Sequence, residues 1–331
     1  MMTGGRLMWR GGVRSFAWAV LTACNAPSPA ETGVDSAHDT AEDSRTDTAP
    51  PDTDTHDTGR SDTSPVPPPE GPWVALTAGG FHTCGLRADG SVGCWGFDGD
   101  GEASPPVDGR YTRIAAGTST TCGLTAAGTV ECWGAALPGD PAPTGLVTIS
   151  LGFTHGCGLD AAGQITCWGD NAFGQAEAPE GTFVAVGTGG YHSCGVTPAG
   201  EVTCWGHGLA VDAAPPPPGA WTALSAGAAH SCVTGDGPGV LCWGTCGGGR
   251  CSPPEGTLEG LSAGGYHTCA RDDAGAVSCW GLNEDEQSDP PDGAFAAVAA
   301  GFRHTCALDA AGAAWCWGEN QGGQAPEGPL P

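Results

Sequence analysis

The sequence predicts an all-β domain made of seven copies of one short unit. Three observations carry that prediction. Two cysteines ten positions apart recur seven times: Cys84 with Cys94, Cys122 with Cys132, Cys157 with Cys167, Cys194 with Cys204, Cys232 with Cys242, Cys269 with Cys279, and Cys306 with Cys316. The first cysteines are spaced by 38, 35, 37, 38, 37 and 37 residues, a period typical of repeat architectures. Around each pair, polar and apolar residues alternate between turns such as Arg87-Ala88-Asp89-Gly90, and no apolar stripe of helical period interrupts them. Residues 73–331 number 259, which is seven times 37, enough for about three strands per unit.

The chain begins differently. Arg6, Arg10 and Arg14 precede the short apolar run Phe16-Ala17-Trp18-Ala19-Val20-Leu21, the pattern of an export signal and too short for a membrane span. Leu21-Thr22-Ala23-Cys24 resembles the lipobox of bacterial lipoproteins, which implies a signal over 1–24 and acylation of Cys24. Asn25 in the next position resembles outer-membrane sorting; a simple secreted protein is the alternative. Residues 25–72 are rich in Thr, Asp, Ser and Pro, as in Asp52-Thr53-Asp54-Thr55. Such a stretch buries too little apolar surface to offset its ordering entropy, so it reads as an extended tether. Its Asp-Thr run lacks the turn glycines and bidentate Glu of a dedicated calcium loop.

Each repeat then opens on a small-apolar stretch ending in glycine, as in Val74-Ala75-Leu76-Thr77-Ala78-Gly79, and runs through His-x-Cys into a turn and Cys-Trp-Gly. If paired residue numbers sum to 178, Cys84 faces Cys94 and Leu86 faces Val92 in an antiparallel hairpin. Directly opposed residues lie close enough for a disulfide. The same pairing applies to all seven repeats. Zinc is the competing use of His and Cys, but a lone Cys ten positions after His-x-Cys lacks the paired short spacings of a zinc site, so no metal is expected. Cys246 and Cys251 share one loop and are predicted to form an eighth bridge. Of the 17 cysteines that leaves Cys24 alone, as a lipidated residue requires.

Gly264-Gly265-Tyr266-His267-Thr268-Cys269-Ala270, the Cys-Trp-Gly triplets and Trp168-Gly169-Asp170-Asn171-Ala172-Phe173-Gly174-Gln175 resemble repeats of the regulator of chromosome condensation superfamily. The resemblance covers residues 73–331 and implies a seven-bladed β-propeller; the pairing above would give each blade one disulfide. The period near 37 is shorter than that of the chromosomal protein and closer to the three-stranded blades of the β-lactamase inhibitory protein II type, related also to α-tubulin-suppressor-like repeats. A propeller suits seven units that cannot bury a face alone. The second repeat departs from the pattern, with Thr120 where the others have histidine.

His82, His155, His192, His230, His267 and His304 recur once per repeat, which predicts a structural hydrogen bond rather than catalysis or a pH switch. The Trp after each second cysteine reads as packing between blades. Gly79, Gly117, Gly152, Gly189, Gly227, Gly264 and Gly301 read as sites of close approach or positive φ.

Function is therefore sought in positions that vary between repeats. Phe81, Tyr191, Tyr266 and Arg303 stand three residues before a first cysteine, with Phe153 and Phe302 one place earlier. By resemblance to the inhibitory protein they would surround one mouth of the propeller and contact a partner. Aromatic and Arg side chains also dominate binding hot spots; packing against a neighbouring blade is the alternative role. A second variable set follows Trp-Gly: Phe97, Asp98, Asn171, Phe173, His207, Asn283 and Asn320.

The chain has no lysine, and 37 acidic residues face 11 basic ones, for a formal charge of −26. Phosphate contacts need a basic surface, so nucleic acid is excluded. The reading is an envelope-anchored, monomeric, non-catalytic module that binds a protein or glycan at the bacterial surface, touches the membrane only through its lipid anchor and needs no cofactor. The enzyme alternative is a carbohydrate-active hydrolase or lyase. It would need a carboxylate pair or an isolated histidine, for which Asp98 with Asp100 and His207 with Asp212 are the only hints. Guanine-nucleotide exchange, implied by family analogy alone, is opposed by export, disulfides, acidity and the lack of a phosphate loop.

Overall fold

A computed structural model describes residues 69–137, 143–208, 216, 219–237 and 239–330. The export signal, Cys24 and the linker up to residue 68 lie outside them. The described residues form seven antiparallel sheets, each of three strands in sequence order, the last with a fourth strand added. In blade 1 the inner strand is Ala75–Ala78, the middle strand His82–Leu86 and the outer strand Val92–Gly96. In blade 7 they are Phe295–Ala300, His304–Asp309 and Ala314–Gly318, with the short strand Pro329–Leu330 on the outer edge. The inner strands pack side by side in a circle, that of blade 7 against that of blade 1. This is a seven-bladed propeller.

The hairpin register follows from the turn. Arg87 donates its N–H to Ser91 O at 2.9 Å, so Arg87 and Ser91 are a hydrogen-bonded pair. Bonded and non-bonded pairs alternate along an antiparallel ladder, which puts Cys84 and Cys94 at a non-bonded position, where side chains approach most closely. All seven repeat pairs occupy that register and are bridged. Cys84 is joined to Cys94, Cys122 to Cys132, Cys157 to Cys167 and Cys194 to Cys204. Cys232 is joined to Cys242, Cys269 to Cys279 and Cys306 to Cys316. In every one the Cα atoms are 4.0–4.1 Å apart. Cys246 and Cys251 form the eighth bridge.

Each blade also carries a bulky residue eleven positions before its first cysteine: Trp73, Tyr111, Leu146, Phe183, Trp221, Leu258 and Phe295. Most of these side chains are buried. The residue after the first cysteine makes room for them. A Cβ on Gly85 would stand 2.3 Å from the Trp73 ring, and one on Gly123 would stand 2.3 Å from Tyr111.

Among the described residues no strand is shared across the junction of blades 7 and 1. Instead Trp73 donates its N–H to Gly312 O at 2.8 Å, and its ring packs with Trp95, Leu308 and Leu330.

Candidate partner-binding mouth

The repeated residues are spent on holding blades together. Each motif histidine is buried and reaches the hydroxyl just before the first cysteine of the next blade. His82 pairs with Thr121, His155 with Ser193, His192 with Ser231, His230 with Thr268, His267 with Thr305 and His304 with Thr83, all through Nε2 at 2.6–2.9 Å. Four of these hydroxyls donate onward to a loop carbonyl, as Thr305 does to Gln287 O at 2.9 Å. A hydroxyl has one proton, so there Nε2–H must be the donor. Burial pushes His82, His155, His192 and His267 down to about 4, and His230 and His304 to about 3. An imidazole held neutral across the physiological range does not switch there.

The tryptophans act between blades as expected. The indoles of Trp95, Trp133, Trp205, Trp280 and Trp317 each donate to a backbone carbonyl of the preceding blade's exit loop at 2.9–3.2 Å. For the seven glycines, close approach is the reason and positive φ is not. They form a ring about the propeller axis, where a Cβ on any one would stand 2.1–2.7 Å from the carbonyl oxygen of the next. Positive φ belongs to the glycine of Trp-Gly: Gly96, Gly134, Gly169, Gly206, Gly244, Gly281 and Gly318 have φ between 91° and 114°. That conformation turns the chain from the outer strand into the exit loop, which L side chains resist.

Above the glycine ring the loops between inner and middle strands converge, and the six candidate side chains meet there. Phe302 is the hub. Its ring centre lies 6.3 Å from Phe81, 5.8 Å from Phe153 and 5.0 Å from Tyr266. Phe153 continues the network to Tyr191 at 5.7 Å, and the Arg303 guanidinium lies 5.6 Å over Tyr266. From the exit loops Phe173 packs 5.7 Å from Tyr191 and stacks on His207 at 5.0 Å. Arg250 also covers Tyr266, at 5.1 Å. Sequence reasoning missed Arg250; its signal is the adjacent Cys251, whose bridge to Cys246 anchors that loop.

The two roles weighed for these rings coexist. They pack on one another, yet Phe81, Tyr191 and Phe173 remain 39 %, 44 % and 49 % exposed. Arg303 is held by Asp285 at 2.7 Å and Glu284 at 3.7 Å. The result is an aromatic floor with charged groups at its edge.

The carboxylate pair is divided in its duties. Asp98 accepts from Ala103 N at 2.7 Å and Ser104 Oγ at 2.6 Å, which ties down its own loop. Asp100 is exposed. Asp212 lies outside the described residues. Among the described residues no group of three or more His, Cys, Asp or Glu is arranged to hold a metal.

Comparison with known proteins agrees with this architecture. The family described as regulator of chromosome condensation (RCC1) repeat matches residues 73–102, 146–175, 260–287 and 295–324. No protein of curated function matches in sequence. Among solved structures, the CRINKLY WD40 ectodomain of the Arabidopsis thaliana receptor kinase ACR4 is 23 % identical with a TM-score of 0.64, over 77 % of this chain and 98 % of that one. The ectodomain of the Physcomitrella patens receptor kinase CR4 is 27 % identical with a TM-score of 0.62, over 73 % of this chain and 72 % of that one. Yeast RCC1 (Prp20), solved with Kap60, is more distant at 17 % identity and a TM-score of 0.47, over 78 % of this chain and 75 % of that one. Four blades thus match the RCC1 repeat in sequence, and all seven blades share one strand order.

Proposed function

We propose that this propeller is a non-catalytic binding module, exported and tethered to the bacterial envelope through Cys24, which captures a protein partner on its aromatic mouth. One observation carries the reading: six variable side chains from blades 1, 3, 4, 6 and 7 converge into one partly exposed network. Large exposed aromatic patches are rare on proteins without partners. Rings with few rotatable bonds bury much area at small entropic cost. Eight disulfides support export, because such bonds persist in oxidising compartments. The similarity to a receptor-kinase ectodomain at 27 % identity supports an extracellular role for the fold.

Affinity capture from envelope fractions tests the proposal. The native chain is expected to retain a defined protein that the triple variant Phe81→Ala, Tyr191→Ala, Tyr266→Ala does not, with no change in thermal midpoint. Equal capture by both moves the binding surface elsewhere. Globomycin, which blocks lipoprotein signal cleavage, should cause the unprocessed precursor to accumulate; normal processing in its presence would overturn the Cys24 anchor.

A further inference from the structure

The ring of motif residues is broken in one place. Where other blades present glycine, alanine or phenylalanine, then often an aromatic, then histidine, blade 2 presents Thr118-Ser119-Thr120. These side chains open a cleft on the mouth between blades 2 and 3, walled on the far side by Phe153, Thr154 and Tyr191 and edged by Asp100. The Thr118 hydroxyl is buried there with no hydrogen-bond partner among the described residues. Asp100 is exposed, and its carboxylate has no ion-pair or hydrogen-bond partner among them. Among the described residues no arginine lines the cleft.

We propose that this cleft is a socket for an alkylammonium group, the side-chain end of a lysine on the protein partner. The inference rests on the mouth being the binding surface and names what one part of it recognises. The chemistry follows from the lining. An ammonium has three donors and no acceptor. Asp100 offers a carboxylate, and the hydroxyls of Thr118, Ser119 and Thr154 offer further oxygens. Phe153 and Tyr191 suit both the methylene stem and the charge, because ring faces attract cations. The surrounding field has the right sign, since residues 73–331 hold 26 acidic side chains against 6 arginines.

The exit loop of blade 1 strengthens the case. Burial, and after it the charges of Asp100 and Asp98, push the Glu102 carboxyl up. A cation in the cleft would relieve that repulsion. A sugar would also stack on the rings, but neutral hydroxyls leave the Asp100 charge uncompensated.

The test uses the full chain and fluorescein-labelled peptides with one Leu-Trp-Leu core flanked by lysine, by norleucine or by glutamate. Fluorescence anisotropy is expected to show the lysine peptide binding at least about tenfold tighter than the norleucine peptide, the size of one charge-assisted hydrogen bond. Asp100→Asn, and Ser119→Tyr (which puts an aromatic ring in the gap), should each remove that advantage. Glu201→Gln, on a hairpin turn between middle and outer strands, should leave it intact. Equal binding of lysine and norleucine peptides, both lost in Tyr191→Ala, overturns the socket while leaving the aromatic mouth standing. Lysine preference that survives Asp100→Asn and Ser119→Tyr, or no binding of the lysine peptide, also overturns it. Cadaverine competing as well as the peptide would overturn the partner's lysine as the occupant in favour of free amines.

Discussion

Six blade junctions share a bond that the junction of blades 2 and 3 lacks. At the six, a buried histidine donates into, or pairs with, a hydroxyl some 38 residues on, or at the seam 221 residues back. At the exception, Thr120 turns to its own blade and donates to Ala135 O at 2.6 Å. The facing position, a hydroxyl elsewhere, is Gly156. The ring of Trp168 fills the space, and a Cβ on Gly156 would stand 2.5 Å from it. The histidine and the hydroxyl are thus two halves of one device belonging to different blades. Once one half is gone, the other becomes a buried polar group without a partner, at a cost of about 1–3 kcal/mol. Losing both and repacking with a ring avoids that cost. The one junction released from the device is also the one that carries the hydroxyl-lined cleft.

Acid should act most strongly, and it should act on the six junctions. Their histidines have folded pKa values of about 3–4, below the ordinary 6.5, because burial disfavours the charged form. The unfolded chain takes up protons below pH 6.5 while the folded chain does not, so stability is full above that pH. It falls as pH drops from 6.5 toward about 4, and the decline then levels off. Each site sheds about 1.4 kcal/mol per pH unit in that window, so six shed on the order of 8. Near-UV circular dichroism should place the acid-unfolding midpoint inside it. A midpoint below pH 3 would mean that the histidines are not held neutral.

Next in size is the glycine ring, which treats all blades alike. Gly152→Ala would force a methyl to 2.1 Å from Gly189 O, between backbone segments with little room to give. A loss of about 3 kcal/mol in denaturant unfolding is expected, at the upper end for an overpacked site. A loss under 1 kcal/mol would show that the ring can breathe.

The finest test contrasts the two kinds of junction. Thr305→Val removes both the partner of His267 and a donor to Gln287 O. It should cost about 2–3 kcal/mol, because buried groups are left unsatisfied. Thr120→Val breaks a single bond within one blade and should cost about 1 kcal/mol. Equal costs would erase the distinction between the junctions.

The fold was legible because its constraint is local. A bridge needs a non-bonded cross-strand pair, which a ten-residue spacing and a short turn supply, so Cys84 and Cys94 announce hairpin, register and repeat together. The bulky series from Trp73 to Phe295 has the same period but mixes Trp, Tyr, Leu and Phe, so it was hidden by chemical variety rather than by distance. The reason for the glycine ring was not legible, since close approach arises only when seven blades meet. The mouth was legible as a set of variable positions, and Phe81, Phe153, Tyr191, Tyr266, Phe302 and Arg303 do meet in space. What sequence cannot display is correlation across blades. Thr120 stands out as a departure, but its complement at Gly156 is an ordinary glycine until Trp168 is seen lying over it.

The seam between blades 7 and 1 has a consequence for how such a molecule can be cut and rejoined. Because each blade is one continuous stretch of chain and, among the described residues, no strand is lent across the seam, the bonds there are of the same kind as at other junctions. The starting point of the polypeptide is then a matter of convention. Circular permutants opened between any two blades should reach the same ring, and whole blades become units that can be transplanted along with the binding residues they carry.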